Sequence, residues 1–129
     1  MKPELDWLVW AVALAFVQVL IAVSGAFTQV GLMKLVGNRE DMPKLTGWVG
    51  RAERAHLNMM INLVLFASLE TAVAVLGKGN ATTMLGAQVF FWFRVAYAGI
   101  YLAGLPWLRT LSWVGSIIGL LMIFAQIVK

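Results

Sequence analysis

Cysteine is absent, histidine occurs once and acids number only six, so whole classes of chemistry are closed at the outset. Without a thiol the chain has no thiolate nucleophile of its own and no cysteine-ligated metal, and a lone His56 cannot build a histidine cluster. Charge is scarce overall. Asp, Glu, Lys and Arg make up 12% of the residues, against roughly a quarter in an average soluble domain. Ten basic residues leave a net charge of +4, but they are dispersed among apolar runs rather than gathered on a patch. That distribution argues against nucleic acid and for the anionic leaflet of a membrane as their counterpart.

Apolar sequence fills the space that charge leaves. Hydrophobic residues are 61% of a 129-residue chain, which has room for a single domain. A soluble domain this small could not hide so much apolar surface in one core, because its surface-to-volume ratio is too high. Lipid as solvent removes the difficulty. Four apolar stretches of spanning length follow one another, at 5–33, 51–76, 81–102 and 108–128. Met1-Lys2-Pro3-Glu4 leads straight into the first, which is too long for a cleavable signal and is expected to be a span itself. Gly37, Asn38 and Pro43 mark a polar loop after it, Gly77-Lys78-Gly79-Asn80 a tight turn, and Gly104-Leu105-Pro106 a break before the last. The fold expected is all-α, an antiparallel bundle of four transmembrane helices forming one domain.

Basic residues set the expected orientation. One side carries Lys34, Arg39, Lys44, Arg51, Arg54 and Arg109; the other carries Lys2, Lys78 and Lys129. This bias puts the first loop in the cytoplasm and both termini outside. Trp7, Trp10, Trp48 and Trp107 fall near span ends, as interfacial anchors do. Compact size and short loops suit a bacterial inner membrane.

Polar side chains inside spans are expensive, so those present need partners or a water-lined site. At about 100° per residue, Arg51, Arg54, Asn58 and Asn62 fall within about 80° on the second span, a polar stripe descending from its cytoplasmic end. Arg94, Tyr97 and Tyr101 share a face of the third span, and Arg109 begins the fourth beside the cytoplasmic loop. Arg94 lies too deep to snorkel easily and wants an anion, either a ligand or Glu70 on the second span. Together Arg54, Arg94 and Arg109 would form a cationic pocket suited to a ligand with carboxylates. Gln18, Gly25 and Gln29 line up on the first span, the glutamines as interhelical glue. His56 points away from the stripe. Ser112, Gly115, Ser116 and Gly119 make a small-residue packing seam, able to serve a contact within or between chains.

Two runs carry a resemblance. Arg51-Ala52-Glu53-Arg54-Ala55-His56-Leu57-Asn58, followed by an apolar stretch to Phe66, resembles the signature of the MAPEG family, the membrane-associated proteins in eicosanoid and glutathione metabolism. Phe93-Arg94-Val95-Ala96-Tyr97-Ala98-Gly99-Ile100-Tyr101, then Pro106 and Arg109-Thr110, is similar to that family's second signature. The likeness covers the chain in length, span number and charge bias, and is nearest the leukotriene C4 synthase and microsomal glutathione transferase branches. It implies a homotrimer that binds glutathione between subunits near the cytoplasmic side and acts on a lipophilic small molecule arriving from the lipid. By motif, Arg54 and Asn58, with Arg51 at the head of the same stripe, would hold glutathione from the second span. Arg94, Tyr97 and Tyr101 would hold it from the third. Arg109 would be catalytic, stabilising the glutathione thiolate as a nearby guanidinium does electrostatically.

One position departs from the family pattern. The Glu expected three residues after Asn58 is Ile61, and Asn62 follows it. A carboxylate there would pair with glutathione's amino group. Glu53, about 100° round the helix from Arg54, and Glu70, more than two turns deeper, are poor substitutes. The expected activity is therefore a glutathione-dependent transferase or peroxidase. The alternative is a non-catalytic protein of the same fold that binds a lipid or another anion. A transporter subunit lacks a broken helix and has Glu70 as its one candidate coupling acid.

Overall fold

The computed structural model describes residues 3–40 and 42–129, apart from the Glu4 side chain. Lys2, which entered the orientation argument, lies outside the described residues, as do Met1 and Asp41. Five helices follow in order: α1 (Pro3–Val30), α2 (Leu32–Val36), α3 (Gly47–Leu76), α4 (Ala81–Ala103) and α5 (Pro106–Val128). All but α2 are long and apolar enough to cross a membrane.

The first span is shorter than expected. It ends at Val30 rather than residue 33, because Gly31 turns the chain at φ +82°, a conformation open to glycine. Residues expected in the span and the loop instead form the short helix α2. At the other end of that loop α3 begins at Gly47, a turn earlier than expected. Gln29 fastens the loop by clasping one residue. Its side-chain amide donates to the Thr46 carbonyl at 2.8 Å, and its oxygen accepts from the Thr46 N–H at 3.1 Å. Gln29 therefore ties loop to helix rather than helix to helix.

The other boundaries follow local chemistry. Asn80 caps α4, accepting from the Thr83 N–H while the Thr83 hydroxyl accepts from the Asn80 N–H, so two terminal donors are satisfied. Gly104 ends α4 in the left-handed region at φ +79°. Pro106 is the first residue of α5, not a gap before it; its missing N–H has no role in a first turn.

Packing follows the small residues. A Cβ on Gly119 would lie 2.6 Å from the Gly86 carbonyl oxygen, and one on Gly115 would meet the Phe93 ring, so α4 and α5 approach backbone to backbone. Ser112, Gly115, Ser116 and Gly119 are all buried in that contact. The seam thus serves packing within one chain. Phe66 of α3 stacks on Phe90 of α4 at 4.2 Å between centroids, with Met59, Val73, Ala87 and Ile123 around them. Helix α1 leans on α3 and α4 and, among the described residues, does not reach α5. Gly25 lets it pass close to α3, where a Cβ would meet Trp48 and Val49 at 2.9 Å.

Candidate functional site

The polar stripe of α3 meets the Arg–Tyr face of α4 at one end of the bundle, and the first turn of α5 closes over both. Arg54 donates through Nε to the Tyr101 hydroxyl at 3.1 Å. The Arg109 guanidinium lies over the Tyr101 ring, 4.8 Å from its centroid. One turn deeper, the Arg94 guanidinium lies 4.1 Å from the centroid of Tyr97, whose ring sits edge-on to Tyr101 at 5.5 Å. Three arginines from three helices are thus threaded by two tyrosines, as the spacing Arg94, Tyr97, Tyr101 requires of one helix face.

Charge at this site is incompletely matched. Arg94 is 1% exposed, and its guanidinium nitrogens find no hydrogen-bond partner among the described residues. No hydrogen bond joins it to Glu70, the alternative partner considered from the sequence, which is buried further along α3. Stacking on a desolvated ring is worth about 2 kcal/mol, while removing a charge from water costs several. The Tyr97 ring does not cover that cost. An anion delivered to the cluster would.

Beside the arginines lies a cavity of about 160 Å³ lined by Asn58, Tyr97, Arg109, Thr110 and Trp113. Asn62 fixes Asn58 from one turn deeper, donating to its backbone carbonyl at 2.9 Å and to its side-chain oxygen at 3.1 Å. The Asn58 amide N–H₂ is thereby left to serve as a donor. Helix α5 supplies Arg109, Thr110 and Trp113 to one side of the cavity. Trp113 was not singled out from the sequence; its spacing of four from Arg109 was the available signal.

Arg51 stands apart. Its Nε donates to the Leu102 carbonyl at 3.1 Å, and its guanidinium packs beside Gly104 at the C-terminal end of α4, where a cation favours the helix dipole. The fold therefore gathers Arg54, Asn58, Arg94, Tyr97, Tyr101 and Arg109, and sets Arg51 at the rim. Ile61 is 66% exposed, about one turn along α3 from Asn58. His56 faces elsewhere, lining a groove with Glu53, Arg39 and the apolar residues of α1 and α2.

Four apolar helices with ionisable side chains held among them define an integral membrane protein. The family model of the MAPEG family matches residues 7–129, nearly the whole chain, and the protein belongs to that family. Searches of curated proteins and of solved structures find no match.

Proposed function

We propose that the chain is a glutathione-dependent transferase or peroxidase acting on lipophilic electrophiles, within the branch of the family that activates a thiol. The observation that carries this reading is the convergence of Arg54, Arg94 and Arg109 on Tyr97 and Tyr101, without an anionic partner among the described residues. Glutathione brings two carboxylates and a thiol. Arg54 and Arg94 suit the carboxylates, the Asn58 amide suits a peptide carbonyl, and Arg109 suits the sulfur. A guanidinium near the sulfur favours the thiolate over the thiol. In conjugation that thiolate forms a carbon–sulfur bond while the electrophile's leaving bond breaks and its electron pair departs with the leaving group. The electrophile enters from the lipid, which the apolar faces of α3 and α5 meet directly.

Further parts of the same reading are a homotrimer, a bacterial inner membrane, a cytoplasmic first loop and external termini. The excess of Lys and Arg around that loop supports the orientation.

A second reading has its own observation. Ile61 presents an exposed apolar side chain where the family pattern has a Glu, which leaves the glutathione amino group without a carboxylate. On that reading the protein is non-catalytic and the arginines hold a lipid or another anion.

Calorimetry of detergent-purified protein with glutathione, with Ile61→Glu alongside, separates the two. Saturable binding by the unaltered chain supports the enzyme. No binding to the unaltered chain, restored by Ile61→Glu, sinks the glutathione reading and leaves the anion-binding one.

A further inference from the structure

At the opposite end of the bundle from Arg51, a cavity of about 550 Å³ opens between α1 and α4, lined by Asp6, Trp7, Trp10, Phe91, Trp92 and Val95. Its volume falls in the range of about 300–1,000 Å³ usual for small-molecule sites. The rings form a connected wall: Trp7 meets Phe91 at 5.5 Å and 56°, and Phe91 meets Trp92 edge-on at 5.1 Å. Trp10 and Trp92 remain 62% and 59% exposed, so their faces are open to an occupant.

An anchoring belt does not account for this wall. Trp7 and Trp10 lie near the start of their helix, as interfacial residues do, but Phe91 and Trp92 lie at the middle of α4. Contact with Phe91 puts Trp7 about 15 Å along α4 from its first residue, at 1.5 Å per residue. Asp6, one residue away, stands at the start of the α1 span with its carboxylate beside this aromatic wall. No cation pairs with it among the described residues. A carboxylate set among aromatic and aliphatic side chains calls for a positive charge.

We propose that this cavity binds the head group of an N-alkylated ammonium amphiphile. Aromatic faces attract a cation through the ring quadrupole, and Asp6 supplies the balancing charge. The degree of alkylation follows from hydrogen-bond supply. A primary ammonium carries three divergent N–H donors, whereas one carboxylate accepts from one side only and the rest of the lining is aromatic or aliphatic, with indole N–H groups that only donate. A trimethylated nitrogen asks for no acceptor, and its methyl groups pack on the rings. The alkyl tail leaves toward lipid between α1 and α4. Trp92 lies about 160° round α4 from Arg94, so this site is separate from the arginine cluster and of opposite preference.

The test uses the protein in non-ionic maltoside micelles and a dodecyltrimethylammonium brominated near its head, since bromine quenches only the tryptophans it touches. Saturable quenching is expected, weakened about tenfold by Asp6→Asn, the loss of one charge partner, and restored by Asp6→Glu. Trp92→Leu should remove much of the quenched signal without changing helix content. A brominated dodecyl sulfate should not saturate. Head-group-brominated phosphatidylcholine distinguishes the source: saturation by it as well assigns a lipid, and saturation by the single-chain cation alone assigns a free amphiphile. Equal quenching by brominated dodecanol, unchanged in Asp6→Asn, overturns the proposal and leaves the tryptophans as membrane anchors.

Discussion

The two halves of α4 solve opposite problems. From Thr83 to Phe90 the helix presents small and apolar residues, and it lies against the glycines of α5 closely enough that no side chain fits between. From Arg94 to Tyr101 it presents a guanidinium and two phenols, and the neighbouring helices bring two more guanidinium groups. In the first half the buried face, Thr83, Gly86, Ala87 and Phe90, is packed inside the chain. In the second the cations exceed their counterparts among the described residues, and stacking on tyrosine and the Arg54–Tyr101 hydrogen bond relieve them only in part. A packed seam needs nothing from outside, whereas an unbalanced cluster has affinity for whatever completes it.

The sharpest way to break this contrast is to fill the seam. Gly119→Leu drives a side chain into the α4 backbone at Gly86 and Phe90, and a loss of about 3 kcal/mol is expected in reversible unfolding with mixed micelles. Unchanged stability would show that the close approach is dispensable. Arg109→Ala acts on the other half. Glutathione-dependent turnover is expected to fall about a hundredfold, equivalent to about 2.7 kcal/mol, while helix content stays the same. Retained turnover in a folded variant removes Arg109 from the chemistry.

Arg94→Leu joins the two halves in one experiment. It trades a buried charge without a hydrogen-bond partner among the described residues for an apolar side chain of the kind found in the core around Phe66 and Phe90. Stability should hold or rise by about 1–3 kcal/mol, and glutathione affinity measured by calorimetry should fall. A clear loss of stability would mean that Arg94 is already well matched inside the chain. The smallest effect is expected at Asn80, whose capping box starts the self-sufficient half. Asn80→Ala should cost about 1 kcal/mol in the same unfolding measurement and leave ligand binding alone.

Much of the site was legible along the chain because it lies on regular helices. Residues three and four apart share a face, so the grouping of Arg94 with Tyr97 and Tyr101, and of Arg54 with Asn58 and Asn62, follows from helical spacing alone. Arg51 belongs to the same stripe by angle, yet its reach to the Leu102 carbonyl depends on where α4 ends, which angle does not encode. Trp113 enters the cavity wall only because α5 crosses beside Asn58. The break at Gly31 was hidden within an apolar run, since a single glycine in such a run is as compatible with a continuous helix as with a turn.

By itself the sequence determined residence in a membrane, the number of spans and the face each one turns to its polar neighbours. These depend on the length and period of apolar runs, which are local quantities set against the thickness of lipid. Tertiary structure alone decided which faces meet. It turned the small-residue seam inward between α4 and α5, left the Arg94 guanidinium without a hydrogen-bond partner among the described residues, and brought Asp6 beside Phe91 and Trp92, some eighty-five residues away. Such pairings depend on crossing points and helix ends, where one glycine or one proline redirects a helix and everything it carries.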